Sequence, residues 1–296
     1  MPDVIFEEIE CKSAVNRVAA GNMPFRWTLN PYRGCQHACT YCFARGTHEY
    51  LGYDSGRDFE TRVVVKVNAP EMLRNDLSRE SWRRELIAVG TACDPYQPAE
   101  LKYSLTHRLL KVLRDAANPA SIITKSPFIV RDADVLESLS QVAELTVNFS
   151  ISTLDEEIWK RIEPSTARPQ KRLEAMNLLT ERGVRCGVLL APVLPGLTDD
   201  PQSLEQVVEA AREHGASFVH DNVLYLKPGT KEWFMPFLRE AYPHLSEQYA
   251  KYYRGAYAPK TYTQDVHRTV QDLRKKYDLL TPRHVAPSAG QLQLAM

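Results

Sequence analysis

The chain has 296 residues, is 44% hydrophobic and carries 37 Lys and Arg against 37 Asp and Glu, a net charge of zero. This length and apolar content suit one large catalytic domain with appendages, and the balanced charge excludes a whole-protein field that draws the chain onto phosphate backbones or anionic membranes. No basic segment followed by an apolar stretch opens the sequence, and no apolar run reaches membrane-spanning length, so the expectation is a cytoplasmic chain without signal peptide or anchor.

Residues 1–25 read as a leader packed on the domain, with Ile5, Phe6 and Ile9 as anchors. A short strand is expected at 26–29, broken by Asn30-Pro31. The chain then enters a loop with Cys35, Cys39 and Cys42. A polar, glycine-bearing stretch leads to the β-branched run 63–67, a strand or buried edge, with a helix after it. The apolar run 85–91 reads as a parallel strand covered on both faces. Leu105, Leu109, Val112 and Leu113 recur at helical spacing until Asn118-Pro119 stops them. A strand at 121–124, a helix at 132–142 capped by Asp132, a strand at 145–152 and a long helical region through Glu181 follow, the last closed by Gly183. Strand 184–190, a helix from Pro201 to Gly215 and strand 218–226 complete the rhythm.

Six parallel strands alternating with helices predict an α/β fold, a partial (β/α)6 barrel over 26–228. Beyond it, Trp233, Phe237, Leu238 and Ala241 form one helical stripe and Val266, Val270, Leu273 and Tyr277 another, a helical extension over 229–280. Tyr249, Tyr252, Tyr253 and Tyr257 lie between them, either packing the helices on the barrel or forming an aromatic wall toward a substrate. The tail 281–296 lacks periodicity and is expected to be disordered.

Six cysteines in 296 residues would give a C-x3-C-x2-C triple by chance only roughly 0.002 times. Thiolates so spaced can converge on a soft metal centre. A closed zinc site needs a fourth donor, for which His37 is the near candidate in a cramped position. Three thiolates on an iron–sulfur cluster instead leave one iron free, and the spacing favours this. Cys11, Cys93 and Cys186 have no sequence partners and are expected to be free in a reducing compartment.

CQHACTYC matches the C-x3-C-x-aromatic-C signature of the radical S-adenosyl-L-methionine (SAM) superfamily. NPYRGCQHACTYCFAR from Asn30, GTACDPYQPAE from Gly90 and ISTLDEEIWKRIEPSTARPQKRLEAM from Ile151 together resemble the branch related to spore photoproduct lyase. The resemblance implies the same partial barrel, a 4Fe-4S cluster on the three cysteines, and SAM bound at the open iron. An electron from a flavodoxin- or ferredoxin-type donor would then cleave SAM to a 5′-deoxyadenosyl radical.

It also implies roles for residues at the carboxyl ends of strands, where barrel chemistry sits. GTACDP stands where the superfamily carries a glycine-rich segment for SAM's ammonium, here served by Thr91 and Asp94, although Asp94 also suits a turn before Pro95. Lys125 could pair with SAM's carboxylate. Asn148, Ser150 and Ser152 share one face of their strand, predicted to point into the barrel, with Ser150 and Ser152 near the ribose. The segment 192–199 would support adenine, and Tyr41 and Phe43 would shield the cluster. Glu163, Arg168 and Arg172 match the family's helix and are expected to pair with one another. Spore photoproduct lyase uses a cysteine as hydrogen donor in the segment matching GTACDP, but Cys93 falls two positions late. The substrate therefore stays open, nucleic acid included, and so does the reaction class, lyase or other. A zinc-binding scaffold and an iron–sulfur electron carrier or redox sensor are the rival classes.

Overall fold

The computed structural model describes residues 3–18 and 23–279; the expectation of a disordered tail at 281–296 lies outside them. From the leader come β1 (Ile5–Ile9) and β2 (Val15–Arg17), and β3 (Trp27–Leu29) and β4 (Tyr32–Arg33) bracket Asn30-Pro31. After the cysteine loop come α1 (Arg57–Thr61), β5 (Arg62–Lys66) and α2 (Ala69–Leu77). Next are β6 (Ile87–Val89), α3 (Ala99–Tyr103), α4 (Leu105–Asp115), β7 (Ala120–Thr124), α5 (Ala133–Val142) and β8 (Leu145–Ser150). Then follow α6 (Glu156–Ile162), α7 (Pro169–Glu181), β9 (Cys186–Val193), α8 (Pro201–Glu213) and β10 (Val219–Val223). The extension holds α9 (Thr230–Ala241), α10 (Ser246–Tyr252) and α11 (Lys260–Lys276).

The main sheet has the order β10-β9-β8-β7-β6-β3-β2, so it curls without closing. All six strands from β3 to β10 in that order pair in parallel, and β2 joins the edge antiparallel. This is the partial barrel that the alternating pattern predicts. Its outer core follows from alternation: in β8, Leu145, Val147 and Phe149 are buried against the helices, while Asn148 and Ser150 face inward to the barrel's cavity. Each such Val, Leu or Phe contributes about 1.5–3 kcal/mol by leaving water. On the outside α4 packs on α2 and α5, α8 on β9, and α11 on β10 and α8.

Several boundaries and roles differ from expectation. Residues 5–9 and 62–66 build a second sheet, ordered β1-β5-β4, in which β1 runs parallel to β5. Phe6 packs against Tyr103 at 5.6 Å, but Ile5 and Ile9 are exposed, so they do not anchor the leader. The helical region before Glu181 is broken between α6 and α7, where Pro164 cannot continue a helix. Asp132 occupies the cap position of α5 without capping it; its carboxylate instead accepts from Tyr96 Oη (3.0 Å) and Arg131 Nε (2.9 Å) and lies 2.9 Å from His107 Nδ1.

Candidate active site

The cysteine loop leaves β4 through Gly34, whose φ is +81°, and doubles back at Ala38, φ +54°. Local backbone bonds are few, so the rest of the fold holds it. Cys35 N–H donates to Phe59 O (2.8 Å) and Thr40 N–H to Ile162 O (3.0 Å). The wholly buried Gln97 donates to Gly34 O (3.1 Å) and accepts from Gln36 N–H (3.0 Å). Arg45, also wholly buried, donates from Nε (3.1 Å) and Nη2 (2.9 Å) to Cys39 O, binds Gly56 O (2.9 Å) and pairs with Glu60. Its guanidinium lies 5.2 Å from the Phe59 ring and 4.8 Å from that of Trp233 on α9.

The three cysteines open on one cavity of about 730 Å³ inside the barrel, a size that holds a small-molecule cofactor. Tyr41, Thr91, Asp94, Lys125 and Ser150 share its walls with them. Gly90 turns the chain from β6 into this wall with φ +86°; a Cβ there would stand 2.6 Å from Ile123 O. Asn30 fixes the same turn, accepting Ala92 N–H (2.8 Å) and donating to Thr91 Oγ1 (3.2 Å). Ser152 departs from expectation: β8 ends at Ser150, and the buried Ser152 hydroxyl lies 3.5 Å from Tyr41 Oη instead of in the cavity wall.

Asp94 is heavily engaged. Oδ1 accepts Tyr96 N–H and Thr124 Oγ1 (each 2.8 Å), and Oδ2 accepts Lys125 N–H (2.7 Å) and lies 3.3 Å from His37 Nδ1, which is not aligned for a hydrogen bond. Burial opposes its ionisation, but His37 and these donors prevail and pull its carboxyl down to about 2. Lys125 Nζ donates to Ser150 Oγ (2.8 Å), which donates to Ala191 O (2.8 Å). Burial lowers the lysine's affinity for its proton, yet Cys39 and Glu163 opposite it leave the net shift upward. Burial pushes the Cys35 thiol well up and the Cys39 thiol to about 12.

Beneath Ser150 lies a network built on the expected Glu163–Arg172 pair, to which Tyr41 adds a link that spacing gave no means to find. Tyr41 Oη donates to Glu163, and Glu163 pairs with Arg172, both almost fully buried. Burial disfavours the Glu163 carboxylate, but Arg172 outweighs it and holds the group below its ordinary range. Arg172 also donates to Ser150 O (2.8 Å) and Ala167 O (3.0 Å). The expected three-way pairing is corrected here, since Arg168 turns outward to Glu156 (3.4 Å). Arg45, Gln97 and Asn30 were missed, their only sequence signal being polar residues beside a metal-type motif.

A family model described as the radical SAM superfamily matches residues 29–208. The chain belongs to the radical SAM superfamily. It is similar to an uncharacterized protein of Mycobacterium tuberculosis, 42% identical over 98% of this chain and 86% of that one, and to one of Methanocaldococcus jannaschii, 29% identical over 75% and 78%. Among solved structures, spore photoproduct lyase complexed with dinucleoside spore photoproduct superposes with TM-score 0.68 at 14% identity, covering 92% of this chain and 79% of that one. A form with bound AdoMet and the same dinucleoside gives 0.69 over the same shares. These likenesses show a shared fold.

Radical SAM enzymes use SAM and a 4Fe-4S cluster, and the residues here fit that group. All six cysteines are free thiols, including Cys11, Cys93 and Cys186. Four of them, Cys35, Cys39 and Cys42 of the loop and Cys93 across from it, line one cavity, and Lys125 supplies positive charge opposite Cys39. Among the described residues no group of three His, Cys, Asp or Glu is arranged to hold a single metal ion. A cubane, which takes one thiolate on each of three irons, needs them set apart.

Proposed function

We propose that Cys35, Cys39 and Cys42 hold a 4Fe-4S cluster with one iron free and that SAM lies between it and the wall formed by Thr91, Asp94, Lys125 and Ser150. The observation that carries this reading is convergence: residues from the loops after β4, β6 and β7 and the end of β8 meet on one cavity. His37, turned to Asp94, is poorly placed as a fourth zinc ligand. When bound, the cluster supplies the electron that cleaves SAM's sulfonium carbon–sulfur bond to a 5′-deoxyadenosyl radical.

The chain's own residues bind and orient. Lys125 Nζ meets SAM's carboxylate as a charge-assisted contact, and Thr91 Oγ1 with Asp94 Oδ2 accepts from its ammonium. Ser150 Oγ faces the ribose, with Arg172 fixing its backbone. Ser152 acts through the Tyr41 hydroxyl. Pro192 and the segment after it support adenine, and Tyr41 and Phe43 keep water and oxygen from the site. Cys93, on the cavity wall with its Sγ 3.9 Å from Asn30 Oδ1, is the candidate hydrogen donor. The dinucleoside bound by the structural neighbour makes nucleic acid the first substrate class to test. Among the described residues no helix is long and apolar enough to cross a membrane, and we place the chain in the reducing cytoplasm.

Anaerobic reconstitution tests this reading. A radical enzyme shows visible thiolate-to-iron absorption, a reduced-state spectrum that SAM changes, and release of 5′-deoxyadenosine. A zinc scaffold would lack the absorption, and an electron carrier would lack the response to SAM.

A further inference from the structure

Overall neutrality hides a local imbalance. Residues 224–231 and 248–264 contain no Asp or Glu, yet carry Lys227, Lys231, Lys251, Arg254 and Lys260. The fold brings the two stretches together: Leu226 N–H donates to Ala256 O at 2.7 Å, Tyr225 bridges antiparallel to Tyr257, and Lys231 Nζ donates to Tyr253 O at 2.5 Å. Lys227, Lys251, Arg254 and Lys260 are exposed, and no carboxylate among the described residues forms an ion pair with them. Glu232, the acid next in sequence, accepts Gly229 N–H at 2.5 Å.

A ladder of rings crosses this basic rim. Phe43, the residue after Cys42, has its ring 5.4 Å from that of Tyr225, and Tyr225 lies 5.9 Å from Tyr257. Phe43 and Tyr225 border the cavity; Phe43 is 41% exposed and Tyr257 66%. Lys227 Nζ stands 5.7 Å from the Tyr225 centroid. The rim is tied to the cysteine loop by Thr230 Oγ1, which donates to Cys42 O at 3.1 Å. The exposed rings of Phe43 and Tyr257 are thus joined through the half-buried ring of Tyr225.

We infer that this rim is the docking surface for the electron donor, an acidic protein that presents the edge of its redox cofactor to Tyr257, Tyr225 and Phe43. The inference rests on the reading that Cys42 holds the cluster. The ladder starts one residue from that ligand and ends in solvent, which makes it a short route inward for an electron. The residues assigned to SAM's ammonium, carboxylate and ribose come from the ends of β6, β7 and β8 and those assigned to adenine from the end of β9, whereas the rim is built by residues 224–231 and 248–264 at the cavity's edge. Unpaired cations match an acidic surface and speed its encounter. In the transfer one electron leaves the donor's reduced cofactor and one enters the oxidised cluster; no covalent bond forms or breaks.

The test is anaerobic stopped-flow reduction of the reconstituted protein by reduced flavodoxin and, separately, by dithionite. Lys227→Glu with Arg254→Glu, and Tyr257→Ala alone, should each lower the second-order rate with flavodoxin, the charge reversal by roughly 10-fold or more at low salt. Added salt should slow the wild type. Iron content and the dithionite rate should stay at wild-type values. An unchanged flavodoxin rate overturns the inference, as does an equal fall with dithionite, which would make the rim merely structural. Loss of single-stranded oligonucleotide binding with flavodoxin reduction intact would also overturn it, assigning the rim to substrate. If the reconstituted wild type shows neither bound iron nor thiolate-to-iron absorption, the cluster reading itself fails and the docking role falls with it.

Discussion

Cys39 and Cys93 line the same cavity and have thiols raised alike to about 12, so chemistry alone does not separate them; the loop geometry does. Cys39→Ala should abolish cluster absorption and bound iron after reconstitution, whereas Cys93→Ala should retain both. Loss of iron in both variants would contradict the ligand assignment. Arg172→Met leaves Glu163 buried without its ion-pair partner, with only the more distant Lys125 opposite it, and the apoprotein should lose about 3 kcal/mol in urea unfolding. The cysteine triple was legible because its three members sit within eight residues. The clamps around it were not: Tyr41 and Glu163 are 122 positions apart and Gln97 and Gly34 are 63, and no local pattern announces such pairings.

At the level of elements, strands and helix ends obey short-range rules where local chemistry is decisive. Asp200 caps α8, accepting Ser203 N–H at 2.9 Å, and the Ser203 side chain and N–H hold its carboxyl below the ordinary 3.8. A depressed carboxyl contributes stability above its unfolded value and loses it as pH falls through the folded one. Asp200→Ala should therefore cost about 1 kcal/mol near neutrality. In parallel urea titrations that difference should shrink below about pH 4. All six barrel strands could be read from apolar runs bounded by turns. Asp132 misled because a cap position and a buried hydrogen-bond hub look identical in sequence. The strand β1 was read only as leader because its partner β5 lies more than fifty residues on.

Across the whole molecule, the helical extension packs on the cysteine loop. Trp233 covers Arg45, Thr230 binds the Cys42 carbonyl, and Gly46 meets Pro228 so closely that a Cβ would stand 2.6 Å from its carbonyl oxygen. Gly46→Val should force this junction apart, costing about 1–3 kcal/mol, and should accelerate loss of iron in air relative to wild type. The stripes of the extension were visible in sequence, though Phe234, wholly buried, leads α9 where Trp233 and Phe237 were expected to. Tyr249 and Tyr253 are core, as the packing reading expects, while Tyr257 is exposed. The most direct measurement is electron paramagnetic resonance of the reduced, reconstituted protein with SAM isotopically labelled in its amino and carboxyl groups. The account predicts hyperfine coupling from those atoms to one iron and 5′-deoxyadenosine in the quenched sample; a centre ligated by four side chains, silent to the labels, would contradict it.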